Sequence, residues 1–466
     1  MWRRSPYRWR SFCGWCFCSA AEGTTDMTAR ELSLRALIQF RRHGAWPDLF
    51  LKQEGAKQQL SREEMGLATA LTYGTLQNLA RLDFYLSVYS SMPLRKLMPQ
   101  VLDAMRIGAY QLVFLDRVPQ SAAVNETVSL VKKQANPRAA GFANAVLRKL
   151  AANLDALPEP QGSAAERLSV QYSHPLWFVQ RMCETLGETQ AEELLRANNE
   201  SPAAVLRVNT LKSDVAQAMA LLARDGIETA PHPYLPHALV ARSLAGIGEA
   251  EALKSGQIAV QDAASQLCVH ALAPCAGEFV LDLCAAPGGK TILAAQLMGN
   301  TGTILACDIH PHKTDLIESN AARCGAEIVQ TVCADASKPR DVLFGRADAV
   351  ICDVPCSGLG IIRKKPDVRF KKEEDIAQLP ALQSRILDTA ALYLKPGGRL
   401  VYSTCTVLPQ ENEQVVSAFL ASHPQFSLEP FELPGIGKTD GQKTLYPHRD
   451  GTDGFFMARL KNCEET

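Results

Sequence analysis

Two cysteines follow apolar runs that read as strands. Residues 347–352 lead into Asp353-Val354-Pro355-Cys356-Ser357-Gly358-Leu359-Gly360, and residues 399–403 lead into Thr404-Cys405-Thr406. A thiolate is the natural nucleophile for carbon 6 of a pyrimidine. Carbon 5 is too electron-poor to attack a methyl sulfonium until an adduct at carbon 6 turns the ring into an enamine. A second group must then help remove the carbon 5 proton and release the first sulfur, while a carboxylate such as Asp353 hydrogen-bonds the ring nitrogen or the amine. A single cysteine is ordinarily a small buried hydrophobe. Two at the ends of neighbouring strands, one preceded by Asp-x-Pro, point to chemistry, and the attacking thiol needs a lowered pKa.

In an open α/β sheet, ligands bind beyond the carboxyl ends of the strands. The first apolar run, residues 279–283, opens into Cys284-Ala285-Ala286-Pro287-Gly288-Gly289-Lys290-Thr291, a turn of small residues that lets a ligand approach the backbone ahead of a helix. Gly289-Lys290-Thr291 has the ending of a P-loop, but Cys284 occupies the position where that motif needs glycine, and Gly-x-Gly-x-x-Gly is missing as well. Asp308 follows the second run, 19 residues beyond Gly289, where a carboxylate accepts hydrogen bonds from a ribose diol or caps a helix. Asp335 follows the third run, within reach of an adenine edge. Nothing near this turn is built to neutralise a polyphosphate, so a nucleoside without phosphates suits it, and S-adenosyl-L-methionine is one.

These strand ends require a particular scaffold. Residues 279–283, 302–307, 327–333, 347–352 and 399–403 alternate with helical segments, the pattern of a parallel sheet covered on both faces, so residues 256–466 are expected to form a doubly wound, Rossmann-like α/β domain. Residues 168–255 mix helices (177–186, 189–198) with short strand-like runs such as 204–208 and read as a small α+β module. Residues 27–155 carry apolar side chains at helical spacing, such as Leu34, Leu37 and Ile38, and predict an all-α domain of five to seven helices. Ser61 with Glu64 reads as a capping box opening a helix through Leu79. Residues 156–167 are turn-rich and read as a linker.

At 466 residues, 47% hydrophobic and 21% charged, the chain has the composition of two to four globular domains, which excludes wholesale disorder. Net charge is zero, but residues 27–155 hold 17 basic and 10 acidic side chains, a balance of +7, against −9 for residues 156–466. Lys132-Lys133 and Arg148-Lys149 in the front, and Arg363, Lys364, Lys365, Arg369, Lys371 and Lys372 beside the cysteine turn, form clusters suited to phosphate contacts or to a solvated surface. Fourteen cysteines spread through long apolar segments read as reduced, intracellular thiols, so a cytoplasmic location is expected. No apolar run reaches membrane-spanning length. Residues 1–26 place four arginines ahead of an apolar stretch, the outline of a secretory signal, but the stretch lacks a Leu-rich core. A disordered tail, or a mis-assigned start with Met27 as the true beginning, is the expectation. Cys13, Cys16 and Cys18 have no second cluster at zinc-finger spacing, and no metal is expected.

Residues 282–291, 353–360, the following Arg363-Lys364-Lys365-Pro366-Asp367, and 402–406 together resemble the RNA cytosine-5 methyltransferases of the Nol1/Nop2/Sun group. The helical front, with Asn144-Ala145-Val146-Leu147-Arg148 near its end, is similar to the NusB-type RNA-binding domain of that group's bacterial 16S ribosomal RNA branch. Leu206-Arg207-Val208-Asn209-Thr210 and Val260-Gln261-Asp262-Ala263-Ala264-Ser265 resemble the same branch. The resemblance implies that Cys405 is the nucleophile, that Cys356 assists product release, and that Cys284, Ala285, Ala286, Pro287, Gly288, Gly289, Lys290, Asp308, Asp335 and Asp353 surround S-adenosyl-L-methionine. It implies a substrate, 16S ribosomal RNA, naked or early in assembly, methylated on carbon 5 of cytosine 967. Departures are Val354 for the usual Ala, Leu359 for Thr and Thr406 for Ser, which bear on pocket packing. Two other readings are an RNA-binding ribosome-assembly or antitermination factor with an idle methyltransferase fold, and an amino-methyltransferase, whose Asn/Asp-Pro-Pro-aromatic turn Asp353-Val354-Pro355-Cys356 does not match.

Overall fold

The computed structural model describes residues 27–44 and 47–463. The expectations for residues 1–26, including Cys13, Cys16 and Cys18, lie outside the described residues. The front is helical throughout: α1 (Ala29–His43), α2 (Pro47–Lys57), α3 (Arg62–Gln77), α4 (Leu79–Tyr89), α5 (Pro99–Phe114), α6 (Gln120–Gln134) and α7 (Pro137–Ala151). Thr28 and Glu31 close a full capping box on α1, and proline at the first helical position starts α5 and α7. At α3 only half of the expected box forms. Ser61 accepts from the Glu64 N–H at 3.2 Å without a reciprocal bond, and the helix stops at Gln77, short of the predicted Leu79. α5 runs through the core, burying Ala104, Met105 and Ile107 against Leu71, Leu82, Leu86 and Leu147. The buried carboxylate on α5, Asp103, is paired at 2.9 Å with both Arg41 and Arg106, and Arg106 also forks onto Asp83, as a charge removed from water requires.

The turn-rich stretch read as a linker contains a helix start. Ser163 and Glu166 form a capping box, and α8 (Ala164–Gln171) begins there, followed by α9 (Leu176–Leu186) and α10 (Glu188–Ala197). The S-x-x-E spacing carried that signal, but the neighbouring Pro and Gly residues masked it. Phe178, Val179, Met182, Leu194 and Leu195 from α9 and α10 pack on Leu359, Ile362, Val368, Val407 and Leu408 of the C-terminal domain. The strands read as part of the same module have their own core. An antiparallel sheet in the order β2-β3-β1-β4 comprises β1 (Ala204–Val208), β2 (Thr229–Pro231), β3 (Ala238–Ala241) and β4 (Ile258–Val260), backed by a helix at Val215–Arg224. β4 lies beyond residue 255, because Val208 pairs with Ile258 across the two strands.

The C-terminal domain is a twisted sheet with helices on both faces. Its parallel part comprises β5 (Phe279–Asp282), β6 (Thr303–Asp308), β7 (Val329–Cys333), β8 (Ala347–Asp353) and β9 (Leu394–Thr404). β10 (Phe426–Leu428) is followed by a two-stranded ribbon, β11 (Phe431–Leu433) and β12 (Gly437–Thr439), then by β13 (Gln442–Leu445) and β14 (Phe455–Asn462). The order β10-β14-β9-β8-β5-β6-β7 makes the sheet mixed, since β14 is antiparallel to β9 and carries β10 and β13. The five strands expected from the sequence are parallel as read, and β14 is an antiparallel addition: its Phe455-Phe456-Met457-Ala458 run is buried like a parallel strand, and its direction is invisible in its composition. β5 has β6 on one side and β8 on the other, so the order reverses there and opens a crevice at the carboxyl ends. No helix among the described residues is long and apolar enough to cross a membrane.

Candidate active site

The register of β8 and β9 sets the site. Cys352 lies opposite Tyr402 and Asp353 opposite Ser403, so both chains leave the sheet side by side. Their cysteines meet: the Sγ atoms of Cys356 and Cys405 are 3.1 Å apart, both free, and the Cys405 N–H points at the Cys356 sulfur at 3.3 Å. The two thiols are pushed in opposite directions by this contact. The hydrogen bond with Cys356 holds Cys405 below the ordinary thiol range, against burial, while the same bond together with burial holds Cys356 well above it. Of the two, Cys405 is therefore the one whose thiolate form the site favours, with the Cys356 sulfur in contact.

Residues the motif reading passed over hold this pair. The buried carboxylate of Glu411 accepts from the Ser357 N–H at 2.8 Å and from Gln383 at 2.9 Å, and Gln383 also donates to the Pro355 carbonyl at 3.0 Å. On the other side, Tyr402 donates to the Glu411 carbonyl at 2.6 Å, Asn412 accepts from Thr404 at 2.5 Å and donates to the Thr406 carbonyl at 3.1 Å. Ser357 donates to Thr406 at 2.8 Å. Glu411-Asn412 thus ties the loop carrying Cys356 to the loop carrying Cys405.

Asp353 and Lys290 join the thiol pair to the small-residue turn. Lys290 donates to Asp353 at 2.6 Å and lies 5.4 Å from the centre of the Phe455 ring; Ser403 donates to the other carboxylate oxygen at 2.7 Å. Burial would lower the Lys290 ammonium, but Asp353 outweighs it and holds the group above the ordinary lysine range. The ammonium of Lys290 is therefore engaged by a strand end. Cys284, Ala285, Ala286, Pro287 and Gly288 form the turn after β5, and Gly289 begins the helix Gly289–Leu297. Burial pushes the Cys284 thiol well up. Beneath the turn, Asp282 accepts from Thr291 at 2.7 Å while its second oxygen is buried without a partner, and burial pushes its carboxyl up to about 7.

Asp308 ends β6 and accepts from the His310 N–H at 3.0 Å through one oxygen. Asp335 folds onto its own turn, accepting from the Ser337 N–H at 3.0 Å and hydroxyl at 2.7 Å and pairing with Lys338 at 3.2 Å. Among the described residues, no group of three or more His, Cys, Asp or Glu side chains is placed to hold a metal.

The basic run after Gly360 divides: Arg363, Arg369 and Lys371 are turned inward, while Lys364, Lys365 and Lys372 lie exposed. Arg363 pairs with Asp453 at 2.6 Å, and Lys364 pairs with Asp262 and Asp453 at 2.6 and 2.7 Å. Arg369 is 1% exposed and bonded to backbone, and Lys371 donates to the Ser357 carbonyl at 2.6 Å. The buried Arg369 and the half-buried Arg363 and Lys371 each have an internal acceptor, as burial requires. In the helical front, Lys132, Lys133, Arg148 and Lys149 all lie exposed, and Lys133 pairs with Glu31 at 2.6 Å.

Three family models match the chain: 16S rRNA methyltransferase RsmB/F over residues 269–461, the NusB family over residues 27–152, and the Methyltr_RsmF/B-like, ferredoxin-like domain over residues 174–244. A Bacillus subtilis (strain 168) protein named "Probable ribosomal RNA small subunit methyltransferase B" is 37% identical over 449 residues, covering 93% of this chain and 98% of its own. The ribosomal RNA small subunit methyltransferase B of Vibrio cholerae is 35% identical over 409 residues, covering 87% and 91%. The crystal structure of PH0851 superposes with a TM-score of 0.76 at 28% identity, covering 95% of this chain and 99% of that one.

Proposed function

Because the chain belongs to the ribosomal RNA small subunit methyltransferase B family, we propose that it methylates carbon 5 of a cytosine in 16S ribosomal RNA through a covalent adduct on Cys405. The observation that carries this reading is the 3.1 Å contact between the two strand-end sulfurs, which holds Cys405 below the ordinary thiol range and Cys356 above it. Cytosine 967 is the position proposed, as the sequence resemblance implies.

The turn after β5 suits S-adenosyl-L-methionine by its donor and acceptor set. Asp308 keeps one carboxylate oxygen free of bonds among the described residues, as a ribose diol requires, and residues 284–289 expose backbone rather than bulky or charged side chains. That cofactor, when bound, supplies an electrophilic methyl group. Cys284 to Gly289, Asp308 and Asp335 would hold it, and Lys290 would fix the turn against Asp353.

Cys405 attacks carbon 6 of the cytosine as a thiolate, forming the S–C bond and placing the electron pair on carbon 5. Asp353, ion-paired with Lys290, accepts a hydrogen bond from the exocyclic amine and orients the ring. After carbon 5 is alkylated, its proton passes to a water molecule, the electron pair of the broken C–H bond reforms the carbon 5–carbon 6 double bond, and the Cys405 sulfur leaves as thiolate with Cys356 donating a hydrogen bond to it. The base must leave its stack to reach a partly buried thiol, which favours unpaired RNA. The exposed Lys132, Arg148 and Lys149 on the helical domain supply phosphate contacts.

Incubation of the full chain with unmodified 16S ribosomal RNA and methyl-labelled S-adenosyl-L-methionine tests the reaction. Labelled 5-methylcytosine in the nuclease digest is expected. Label on an exocyclic amine, or none, would overturn it.

A further inference from the structure

The loop that carries Cys356 continues into a segment embedded in the helical domain. Residues Pro366–Phe370 form a short helical turn whose Phe370 ring meets Phe40 of α1 edge-on at 5.4 Å. Beside it, the buried Arg369 guanidinium donates to the Gln77 carbonyl at 2.6 Å, to the Ser173 carbonyl at 3.0 Å and to Asn199 at 3.1 Å. These acceptors end α3, join α8 to α9 and follow α10, so one planar fork holds three segments together. Gln77 reinforces the junction by donating to the Asn199 carbonyl at 2.5 Å, and the Arg81 N–H donates to Ser173 at 3.0 Å.

Among the described residues no carboxylate neutralises Arg369, and its neighbour His174 is buried and held neutral by burial and by the arginine's charge. A guanidinium has a fixed donor geometry, and an uncompensated one in such a place is costly unless its backbone acceptors stay where they are. Two residues on, Lys371 donates to the carbonyl of Ser357, the residue after Cys356, at 2.6 Å. One segment therefore grips the helical domain at one end and the thiol loop at the other.

We infer that residues 366–371 are a strut through which the seating of the helical domain sets the position of Cys356, with Arg369 and Lys371 as positioning residues for the thiol pair. The helical domain then does more than hold RNA: it completes the geometry in which Cys356 hydrogen-bonds Cys405. This inference rests on the reading of Cys405 and Cys356 as the reacting thiols.

Two substitutions in the full chain test it, Lys371→Met, which cuts the strut at the thiol loop, and Arg369→Lys, which keeps the charge but loses the fork. Each is expected to lower kcat for 16S RNA methylation by about 10- to 100-fold, the effect of misplacing a reacting group by about an ångström. KM for RNA should stay unchanged, and alkylation of Cys405 by iodoacetamide without RNA should slow. A folded Lys371→Met protein with wild-type kcat and alkylation rate would overturn the inference, as would a rise in KM alone, which would make the segment an RNA contact. Should Lys371→Met melt early, Arg369→Lys decides by the same readouts. Absence of methyl transfer by the wild-type chain would instead sink the thiol reading, and this inference with it.

Discussion

The Gly360 N–H donates to the carbonyl of Cys405 at 2.9 Å, so the loop leaving one strand is pinned to the backbone of the cysteine that follows the next. Gly454 then donates to the Gly360 carbonyl at 2.8 Å. A Cβ at position 360 would overlap the Gly454 carbonyl oxygen and come within 2.9 Å of the Cys405 carbonyl. Gly360→Ala must shift backbone, a cost of about 1–3 kcal/mol. It is expected to lower kcat strongly while methyl-donor binding, measured by calorimetry, is retained. Unchanged kcat would show that the pinning does not matter to the reaction.

Glu411→Ala leaves the Ser357 N–H and the Gln383 amide without their acceptor in a buried site, a loss of about 1–3 kcal/mol for each donor left unsatisfied. Glu411→Gln keeps one acceptor oxygen and should retain most of the stability. Denaturant unfolding of the two proteins should separate them clearly, and equal midpoints would contradict the role given to the carboxylate.

Burial holds the Asp282 carboxyl up at about 7, against the Thr291 hydrogen bond and the Lys290 charge, whereas an unfolded aspartate titrates at about 4. Between those values the folded protein keeps a proton that the unfolded chain has released. Its stability is therefore greatest on the acid side, falls as pH rises toward 7, and levels off above. Asp282→Asn removes this loss. Its melting temperature relative to wild type should climb between pH 5 and pH 7 and then stay constant; a pH-independent difference would refute the assignment.

Lys132→Gln with Lys149→Gln should weaken RNA binding at low salt and flatten its salt dependence, lowering the slope of log K against log salt by about 0.7–0.9 for each phosphate no longer neutralised. Filter binding across a salt series measures this. Weaker binding with an unchanged slope would place the phosphate-binding cations elsewhere.

The strand ends were legible in the sequence because chemistry-bearing residues follow short apolar runs: Asp282, Asp308, Asp353 and Cys405 all sit where that rule puts them. Glu411 was not. It stands in a Pro-Gln-Glu-Asn-Glu stretch that reads as solvated surface, and only tertiary packing buries it. Arg363, Arg369 and Lys371 misled for the same reason, since a run of cations looks alike whether it meets phosphate or internal carbonyls and carboxylates. The Ser163 helix start was hidden by neighbouring turn residues, and the antiparallel β14 by a composition that does not encode direction.

RNA carrying 5-fluorocytosine blocks removal of the carbon 5 substituent and should stall the reaction as a protein–RNA adduct. Mass spectrometry of its digested peptides is the most direct test of the covalent step. A nucleotide on the Cys405 peptide is predicted, absent in Cys405→Ala and accumulating even on unmodified RNA in Cys356→Ser. A nucleotide on Cys356, or no adduct while the methyl donor binds, would contradict the account.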